Sequence, residues 1–249
     1  MEAVCMIRLD KYLADMGIGT RREVKRYIRQ GRITLNDKVT KSPDTKVKEE
    51  TDEVIFDNKQ VSYVSHEYYM LNKPSNVISA SEDRDEQTAV DLIREKRRRN
   101  LFPVGRLDKD TEGLLLITDD GELAHRLLSP KKHVDKTYFA RVRGRVTEED
   151  LRRFAEGVNI GTEEADEWTM PAVLKILKSD EESEIRLTIR EGKYHQVKRM
   201  FQAVGKEVLY LKRESMGGLK LDEHLKPGEY RPLTKEELDG ITDNNAGKY

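Results

Sequence analysis

The sequence predicts an α+β protein in which a small, basic N-terminal domain precedes a larger domain built on a mixed, largely antiparallel sheet. Segments with the alternating pattern of strands outnumber segments with helical spacing. Several strand segments follow one another closely, as antiparallel neighbours do. Positive charge is concentrated near the N-terminus, where twelve lysines and arginines stand against five acids between Arg8 and Lys48. This segment carries a net charge of +7 in a chain whose total is -1.

The N-terminal domain is expected over residues 7–60 and begins with two helices and a hairpin. The segment RLDKYLADM has apolar residues at helical spacing, and GIGT interrupts it. Thr20 is a suitable N-cap for the second helix, and Glu23, three residues later, completes a capping box. Gly31 ends this helix, and RITLNDKVT predicts a hairpin that turns at Asn36-Asp37. The segment EETDEVIFDNKQVSYVSHE predicts one or two short strands and a connector.

The larger domain is expected over residues 66–241, followed by a disordered tail over residues 242–249. Strands are predicted, in order, in YYMLNKP, GLLLIT, KTYFARVRG, AVLKILKSD, SEIRLTIREG and EVLYLKRESMGGLKL. The segments AVLKILKSD and SEIRLTIREG adjoin, so we expect them to pair antiparallel. Helices are predicted in TAVDLIREKRRR, capped by Thr88, in DDGELAHRLLSP, ended by Pro130, in TEEDLRRFAEG, and in YHQVKRMFQAVG, closed by Gly205. Thr234 caps a last short helix, and the run EKRRRN is expected to be a solvated face.

The composition limits the classes of function. No apolar run approaches the roughly 20 residues of a membrane span, and the N-terminus lacks a stretch of signal-peptide length, so a soluble cytoplasmic protein is expected. Cys5 is the only cysteine, and the five histidines lack metal-ligand spacing. The chain also lacks a dinucleotide-binding GxGxxG segment and a P-loop. We therefore expect no metal, no cofactor, no membrane partner and a monomer, with translation starting at either Met1 or Met6.

The charge of the N-terminal domain indicates a surface that binds polyanions. A solvated basic helix is the alternative, but the concentration of charge favours nucleic acid. Contacts with phosphates give affinity and salt dependence but little sequence discrimination. The candidate phosphate-binding residues are Arg8, Lys11, Arg21, Arg22, Lys25, Arg26 and Arg29.

The acid-rich segment PVGRLDKDTEGLLLITDDGEL permits more than one interpretation. Asp108, Asp110, Glu112, Gly113 and Asp119 occupy positions 1, 3, 5, 6 and 12 of a loop, as in a calcium-binding EF-hand. However, position 9 is a leucine, LFPVG is unsuited to a preceding helix, and LLLIT predicts a strand inside the loop. Calcium binding is therefore disfavoured. The local pattern leaves open a turn of solvated acids and a turn that presents Asp108 as a reactive carboxylate.

The surrounding motifs resemble those of the pseudouridine synthases. GRLDKDTEGLLLIT is similar to the family's signature, in which the catalytic aspartate follows Gly-Arg-Leu and precedes Thr-x-Gly-Leu-Leu. YYMLNKPSNVISA resembles the family's opening strand and Lys-Pro turn, KTYFARVRG its Lys-x-Tyr element, and LTIREGKYHQVKRMF its third element. The segment from Ile7 to Asp52 resembles the S-four-like (αL) RNA-binding module. The motifs occur in the family's order behind that module, and together they cover most of the chain.

The resemblance implies a reaction and the residues that carry it. The reaction is isomerisation of uridine to pseudouridine in RNA, without a cofactor, on a nucleotide flipped out of its stack. Asp108 is the implied catalytic carboxylate, Lys193 the cation beside it, and Tyr138 the ring that stacks on the target base. From pattern alone, Lys193 would be an exposed loop lysine and Tyr138 a half-buried strand tyrosine. Arg106 is implied to orient RNA or to fill the space that the flipped nucleotide leaves.

The third motif also bears on the substrate. Gln196 and Lys198 are expected to anchor the catalytic loop or to contact phosphates, and His195 to be a hydrogen-bonded packing residue. The block EGKYHQVKRMF is most similar to the 16S rRNA (small-subunit) branch, since large-subunit members more often have Asn-Arg or Asn-His at positions 194 and 195. That branch implies uridine-516, in free 16S rRNA or in a small-subunit assembly intermediate. The alternatives are a 23S rRNA target and a non-catalytic rRNA-binding assembly factor. Asn76 replaces the family's usual glycine in KPSNV, where a left-handed backbone is expected.

Overall fold

Contacts between residues divide the chain into two units, the second of which begins at Tyr68. The computed structural model describes residues 6–49, 51–95 and 100–243. The sequence placed the domain boundary near residues 60–66, and the observed division falls between Glu67 and Tyr68. Glu95 and Leu101 are grouped with the first unit.

Short helices and strands form the described part of the first unit. The helices are α1 (Leu9–Asp15) and α2 (Arg21–Arg29). The strands are β1 (Met6–Arg8), β2 (Ile33–Leu35), β3 (Lys38–Val39), β4 (Lys46–Lys48), β5 (Val54–Phe56) and β6 (Lys59–Gln60). Strand β1 pairs with β4, and the others form an antiparallel sheet in the order β3-β2-β5-β6. The two helices pack their apolar faces together over these strands, with Leu13 and Ile28 fully buried.

Local signals in the first unit act as the sequence predicts. The Thr20 hydroxyl accepts from the Glu23 N–H at 3.3 Å, and the Glu23 carboxylate accepts from the Thr20 N–H at 2.8 Å. This confirms the capping box at the start of α2. Asn36 and Asp37 adopt left-handed φ angles of 49° and 63°, which a tight hairpin turn requires. The predicted hairpin therefore forms between β2 and β3.

The second unit is built on one mixed sheet. Its strands are β7 (Tyr68–Lys73), β8 (Phe102–Pro103), β9 (Glu112–Thr118), β10 (Lys136–Arg143), β11 (Val173–Lys178), β12 (Glu182–Ile189), β13 (Glu207–Met216), β14 (Leu219–Lys220) and β15 (Tyr230–Pro232). Its helices are α3 (Gly121–Leu128), α4 (Glu148–Glu156), α5 (Gln196–Ala203) and α6 (Lys235–Asp243), with one 3-10 turn at Pro130–Lys132. Seven strands follow the order β11-β12-β10-β13-β9-β7-β15, while β14 pairs with β13 and β8 with β9. Only the β13–β9 contact among the described pairs is parallel, so the α+β class with a largely antiparallel sheet is confirmed.

Strand β9 lies inside this sheet, between β13 and β7, and directly follows the turn that carries Asp108. Residues 113–118 are all buried, because one face of the strand packs on α3 and α6 and both edges are paired. The strand occupies the positions where an EF-hand would continue its loop, as the sequence predicts. Helix α3 follows, and the Asp120 side chain caps it by accepting from the N–H groups of Glu122 and Leu123.

One predicted helix and part of the predicted disordered tail differ from the structure. TAVDLIREKRRR was expected to be a helix capped by Thr88, but its described part, residues 88–95, forms turns. The cap itself is present, since Asp91 N–H donates to the Thr88 hydroxyl at 3.2 Å. Val90 and Ile93 are both buried, so tertiary contacts override the helical signal. Residues 96–99 of the basic run and 244–249 of the tail lie outside the described residues, whereas residues 242 and 243 belong to α6.

Within the described ranges, no helix is both long enough and apolar enough to cross a membrane.

Candidate active site

Asp108 lies on a turn between β8 and β9, and the buried Lys73 at the end of β7 holds this turn from beneath. The Lys73 side chain is fully buried. Its ammonium donates to four backbone carbonyls, those of Pro74 at 3.0 Å, Asp108 at 3.1 Å, Lys109 at 3.2 Å and Thr111 at 2.9 Å. Burial lowers the pKa of Lys73 to about 8, against the opposing attraction of nearby acids. The lysine of the Lys-Pro motif therefore fixes the backbone that presents Asp108.

The segment that follows Lys73 fixes the other side of the turn. The Ser79 hydroxyl donates to the Leu107 carbonyl at 2.9 Å and accepts from the Leu107 N–H at 3.0 Å. The Asn76 N–H donates to the Lys109 carbonyl at 2.8 Å. Asn76 has a left-handed φ of 65°, which confirms the conformation expected where the family usually has glycine. The residues on both sides of Asp108 are thus tied to the core before any substrate binds.

Gly113 allows β9 to approach β13 closely just beyond the turn. Its φ is +101°, and a Cβ there would lie 2.3 Å from the Arg213 carbonyl oxygen and 2.7 Å from the Arg213 nitrogen. Both are backbone atoms of the parallel partner strand, so a side chain cannot be accommodated by a rotamer change. The glycine of the signature motif is therefore needed to join the turn that carries Asp108 to the sheet.

A pocket of about 440 Å³, partly open to solvent, lies over this turn. Its lining includes the six residues that the sequence singled out for catalysis or for RNA contact at this site: Arg106, Asp108, Tyr138, Lys193, Gln196 and Lys198. Thr111 also lines the pocket, and its buried hydroxyl has no hydrogen-bond partner in the described part of the chain. An unsatisfied buried hydroxyl at a pocket wall is available to a polar ligand.

The Asp108 carboxylate is partly exposed, at 28%, and lies between two basic side chains. Its Oδ2 is 3.4 Å from the Lys198 Nζ, and its Oδ1 is 3.6 Å from the His195 Nε2. Lys198 is held in turn by both carboxylate oxygens of Asp110, at 2.6 and 2.8 Å. Burial raises the pKa of Asp110, but the hydrogen bond and charge of Lys198 outweigh it and hold that pKa below its usual value. The Lys198 ammonium thus contacts the carboxylates of both Asp108 and Asp110.

The cation beside Asp108 is therefore Lys198, not Lys193 as the family resemblance led us to expect. The Lys193 Nζ donates to the Trp168 carbonyl at 2.5 Å and lies 3.7 Å from Glu167 and 3.9 Å from Glu191. Lys193 precedes α5 in a loop that turns toward these acids, whereas Lys198 lies in the first turn of the helix, on the side of Asp108. Lys193 remains part of the pocket lining, but its ammonium is paired with the carboxylates of Glu167 and Glu191.

Gln196 connects the loop and the helix of the third motif. It is only 4% exposed. Its Oε1 accepts from the Lys193 N–H at 2.9 Å, and its amide donates to Glu191 at 2.8 Å. These hydrogen bonds join the loop before α5 to the helix, as an anchoring residue would, and Gln196 also lines the pocket.

Tyr138 lies on β10 and forms a wall of the pocket. Its side chain is only 7% exposed, and its neighbours in register are Leu187 on β12 and Arg213 on β13. The ring is thus both a buried strand tyrosine and a pocket residue. Arg106, by contrast, is exposed at the pocket edge.

The expected phosphate-binding residues are on the first unit. Arg8 is hydrogen-bonded to the buried carboxylate of Asp10 at 3.1 and 3.2 Å, and Lys25 lies 3.7 Å from the same group. The side-chain hydrogen bond from Arg8 lowers the pKa of Asp10, although burial opposes it. The exposed members of the set are Arg8, Lys11, Arg21, Arg22, Arg26 and Arg29. The charge of α2 is therefore presented largely to solvent.

Sequence reasoning assigned His195 to packing, but the structure places it against Asp108. His195 adopts a left-handed φ of 47° as the N-cap residue of α5, and its Nε2 lies 3.6 Å from Asp108. The signal that could have identified it is its position directly before a helix that begins next to the Glu-Gly loop. Within the described residues, no group of three or more His, Cys, Asp or Glu side chains is arranged to hold a metal ion.

Known proteins resemble this chain both in sequence and in structure. The sequence model of the RNA pseudouridylate synthase family matches residues 67–203, and that of the S4 domain matches residues 7–54. A Bacillus subtilis protein named as an uncharacterised RNA pseudouridine synthase, YtzG, is 49% identical over 96% of this chain and 100% of its own length. The ribosomal small subunit pseudouridine synthase A of Vibrio vulnificus is 44% identical over 94% of this chain and 99% of its own length. The protein of that name in Escherichia coli is 40% identical over 94% of this chain and 100% of its own length.

A solved structure described as a pseudouridylate synthase is 38% identical and covers 94% of this chain and 99% of its own, with a TM-score of 0.65. The motifs, the pocket around Asp108 and these matches agree. The chain therefore belongs to the RNA pseudouridylate synthase family and is an RNA pseudouridine synthase with an N-terminal S4 domain.

Proposed function

We propose that the protein isomerises one uridine of 16S rRNA to pseudouridine, with Asp108 as the reacting carboxylate. The observation that carries the proposal is the position of the Asp108 carboxylate, which lies in a pocket with Tyr138 and within 3.4 Å of the Lys198 ammonium. The small-subunit substrate is supported by the two relatives named for the small ribosomal subunit. The resemblance of the third motif to the 16S rRNA branch supports uridine-516 as the target.

The reaction explains why this pocket needs an ionised carboxylate. The C1′–N1 bond breaks, the uracil turns, C1′ bonds to C5, the C5 proton leaves and N1 gains a proton, so no atoms or electrons are added. Attack on C1′, attack on C6 and removal of a sugar proton all begin with an anionic Asp108. Lys198 and the fixed turn supply the charge and the orientation that such a carboxylate requires.

The surrounding residues have roles in binding RNA. The target must leave its stack to reach Asp108, so a flipped nucleotide is expected in the pocket. Tyr138 would stack on its uracil, and the exposed Arg106 would contact the RNA beside it or occupy the space that the base leaves. The exposed basic residues of α1 and α2 would bind phosphates and make binding salt-dependent.

Mapping of pseudouridine tests the substrate directly. In rRNA from cells that lack this protein, we expect one pseudouridine to be lost from 16S rRNA, at position 516, and purified protein should restore it in an unmodified transcript. Loss of a pseudouridine from 23S rRNA instead would contradict the proposal that 16S rRNA is the substrate. Unchanged rRNA in the mutant cells, with defective small-subunit assembly, would indicate the non-catalytic alternative.

The two lysines of the third motif should differ in their effect on turnover. We expect Lys198→Met to lower kcat roughly 10- to 100-fold, because it removes the cation beside Asp108. Lys198→Arg should recover most of this loss because it keeps the charge. Lys193→Met should have a smaller effect, mainly on KM, because Lys193 is paired with Glu167 and Glu191. Single-turnover rates on 16S rRNA transcripts measure the difference, and the reverse order of effects would show that Lys193 is the functional partner of Asp108.

A further inference from the structure

We propose that an exposed aromatic ledge beside the pocket, formed by the rings of Tyr194 and His195 together with Trp168, binds the bases of unpaired nucleotides that adjoin the target uridine. The proposal rests on the proposed function of Asp108, because it assigns to the ledge the RNA that flanks the reacting nucleotide. The ligand class is single-stranded RNA, recognised through the faces of its bases.

The first observation is the continuity of the ledge with the catalytic carboxylate. The Tyr194 ring is stacked on the His195 ring, with centroids 3.8 Å apart and planes 20° apart. The same His195 ring reaches to 3.6 Å from Asp108. Only the His195 ring therefore lies between Tyr194 and Asp108. A base next to the flipped uridine would also lie about one ring away from Asp108. Its side chain is nevertheless 76% exposed, so its outer surface is open.

The backbone that carries Tyr194 is fixed rather than free. On one side, the Lys193 N–H donates to the buried Gln196 at 2.9 Å. On the other, His195 begins α5 in a left-handed conformation. The Tyr194 carbonyl also accepts from Arg199 at 3.1 Å. A ring held in this way loses little entropy when a base stacks on it, which favours binding.

Trp168 is a second exposed aromatic residue, and its backbone contacts Lys193. It is the only tryptophan in the chain and is 62% exposed. Its carbonyl accepts from the Lys193 ammonium at 2.5 Å, and the adjacent Thr169 N–H donates to Val158 at 2.9 Å, so its backbone is also held. Two large exposed aromatic residues are thus joined through their backbones to the same pocket lysine, which is more than isolated apolar surface.

Base flipping explains why such a ledge is needed. When uridine enters the pocket, the neighbouring bases lose a stacking partner, and their nucleotides must pass over the pocket edge. Aromatic rings at that edge restore stacking to any base, since every base has a π-face. A protein partner could be recognised without aromatic rings stacked next to Asp108. The position of the ledge therefore favours RNA as its ligand.

The test uses the full chain with Asp108→Asn, which keeps the RNA unreacted. The probe is an oligouridylate of about ten nucleotides, and the control is an abasic oligomer with the same phosphates. Fluorescence of Trp168 should be quenched by the oligouridylate and not by the abasic oligomer. By anisotropy, Tyr194→Ala should raise the Kd for oligouridylate about tenfold, whereas Tyr194→Phe and the surface control Leu177→Ala should stay within about twofold.

Turnover by the chain with Asp108 intact separates binding from positioning. Tyr194→Ala should raise KM for the 16S transcript about as much as it raises Kd, with little change in kcat. A fall in kcat at unchanged KM would mean that Tyr194 only positions His195, and equal quenching by both oligomers would mean that phosphates alone bind. A defect seen only with assembled particles would indicate a protein partner. Each of these results overturns the proposal, whereas quenching without any isomerisation of rRNA would overturn the proposed function and leave the ledge intact.

Discussion

Replacement of Asp108 should abolish isomerisation and leave RNA binding intact. Asp108→Asn keeps the size of the side chain but removes its negative charge, and Asp108→Ala removes the carboxyl group altogether. Either change leaves Lys198 and His195 without the anion between them. We expect the single-turnover rate to fall at least about 10,000-fold, as when a reacting group is removed from other enzymes. The rate is measured as pseudouridine formed in a 16S rRNA transcript.

Asp110→Asn is the matched control, since it changes the adjacent carboxylate of the same turn. Asp110 holds Lys198 but is itself 65% exposed. We expect its loss to lower the rate by no more than about tenfold, because Lys198 still lies beside Asp108. RNA affinity should stay within about twofold for all three variants, since the basic residues of the first unit are unaffected. Turnover by Asp108→Ala comparable with that of Asp110→Asn would show that the reacting carboxylate lies elsewhere.

The sequence predicted those parts of the fold whose signals are local. The capping box at Thr20, the hairpin turn at Asn36-Asp37 and the left-handed Asn76 each depend on residues within a few positions of one another. Strand β9 was predictable because an uninterrupted apolar run ends at Asp119-Asp120-Gly121, which favours a turn. The turn that carries Asp108 was singled out by its motif, although its acids also fit a calcium loop.

The sequence-based predictions that differ from the structure concern contacts between distant parts of the chain. Lys198 and Asp108 are 90 positions apart, and the choice between Lys198 and Lys193 depends on where α5 begins. The left-handed His195 sets that start, and its conformation is not evident from residue type. The helix expected after Thr88 fails for a similar reason, because burial of Val90 and Ile93 outweighs a correctly formed cap.

Lys73→Met should impair both the rate and the stability, because one buried amino group holds the whole turn that carries Asp108. Methionine fills a similar volume but leaves the carbonyls of residues 74, 108, 109 and 111 without their donor. Leaving several buried acceptors unpaired costs at least about 3 kcal/mol in the free energy of unfolding. We also expect kcat to fall roughly 100-fold, since a small displacement of Asp108 disturbs its alignment with the sugar. Denaturant unfolding and single-turnover rates measure the two effects.

The stability difference between wild type and Lys73→Met should depend on pH, because Lys73 titrates and methionine does not. The folded Lys73 has a pKa of about 8, below the value of about 10.4 for an exposed lysine. Between these values the unfolded chain binds a proton that the folded chain has released, so the wild-type protein gains stability as pH rises, by on the order of 3 kcal/mol in total. Methionine does not titrate, so the advantage of wild type over Lys73→Met should grow from pH 8 to pH 10. Lys178→Met, which removes only a surface contact with Asp180, should show no such trend, and a flat difference for Lys73→Met would mean that the buried lysine keeps its charge throughout this range.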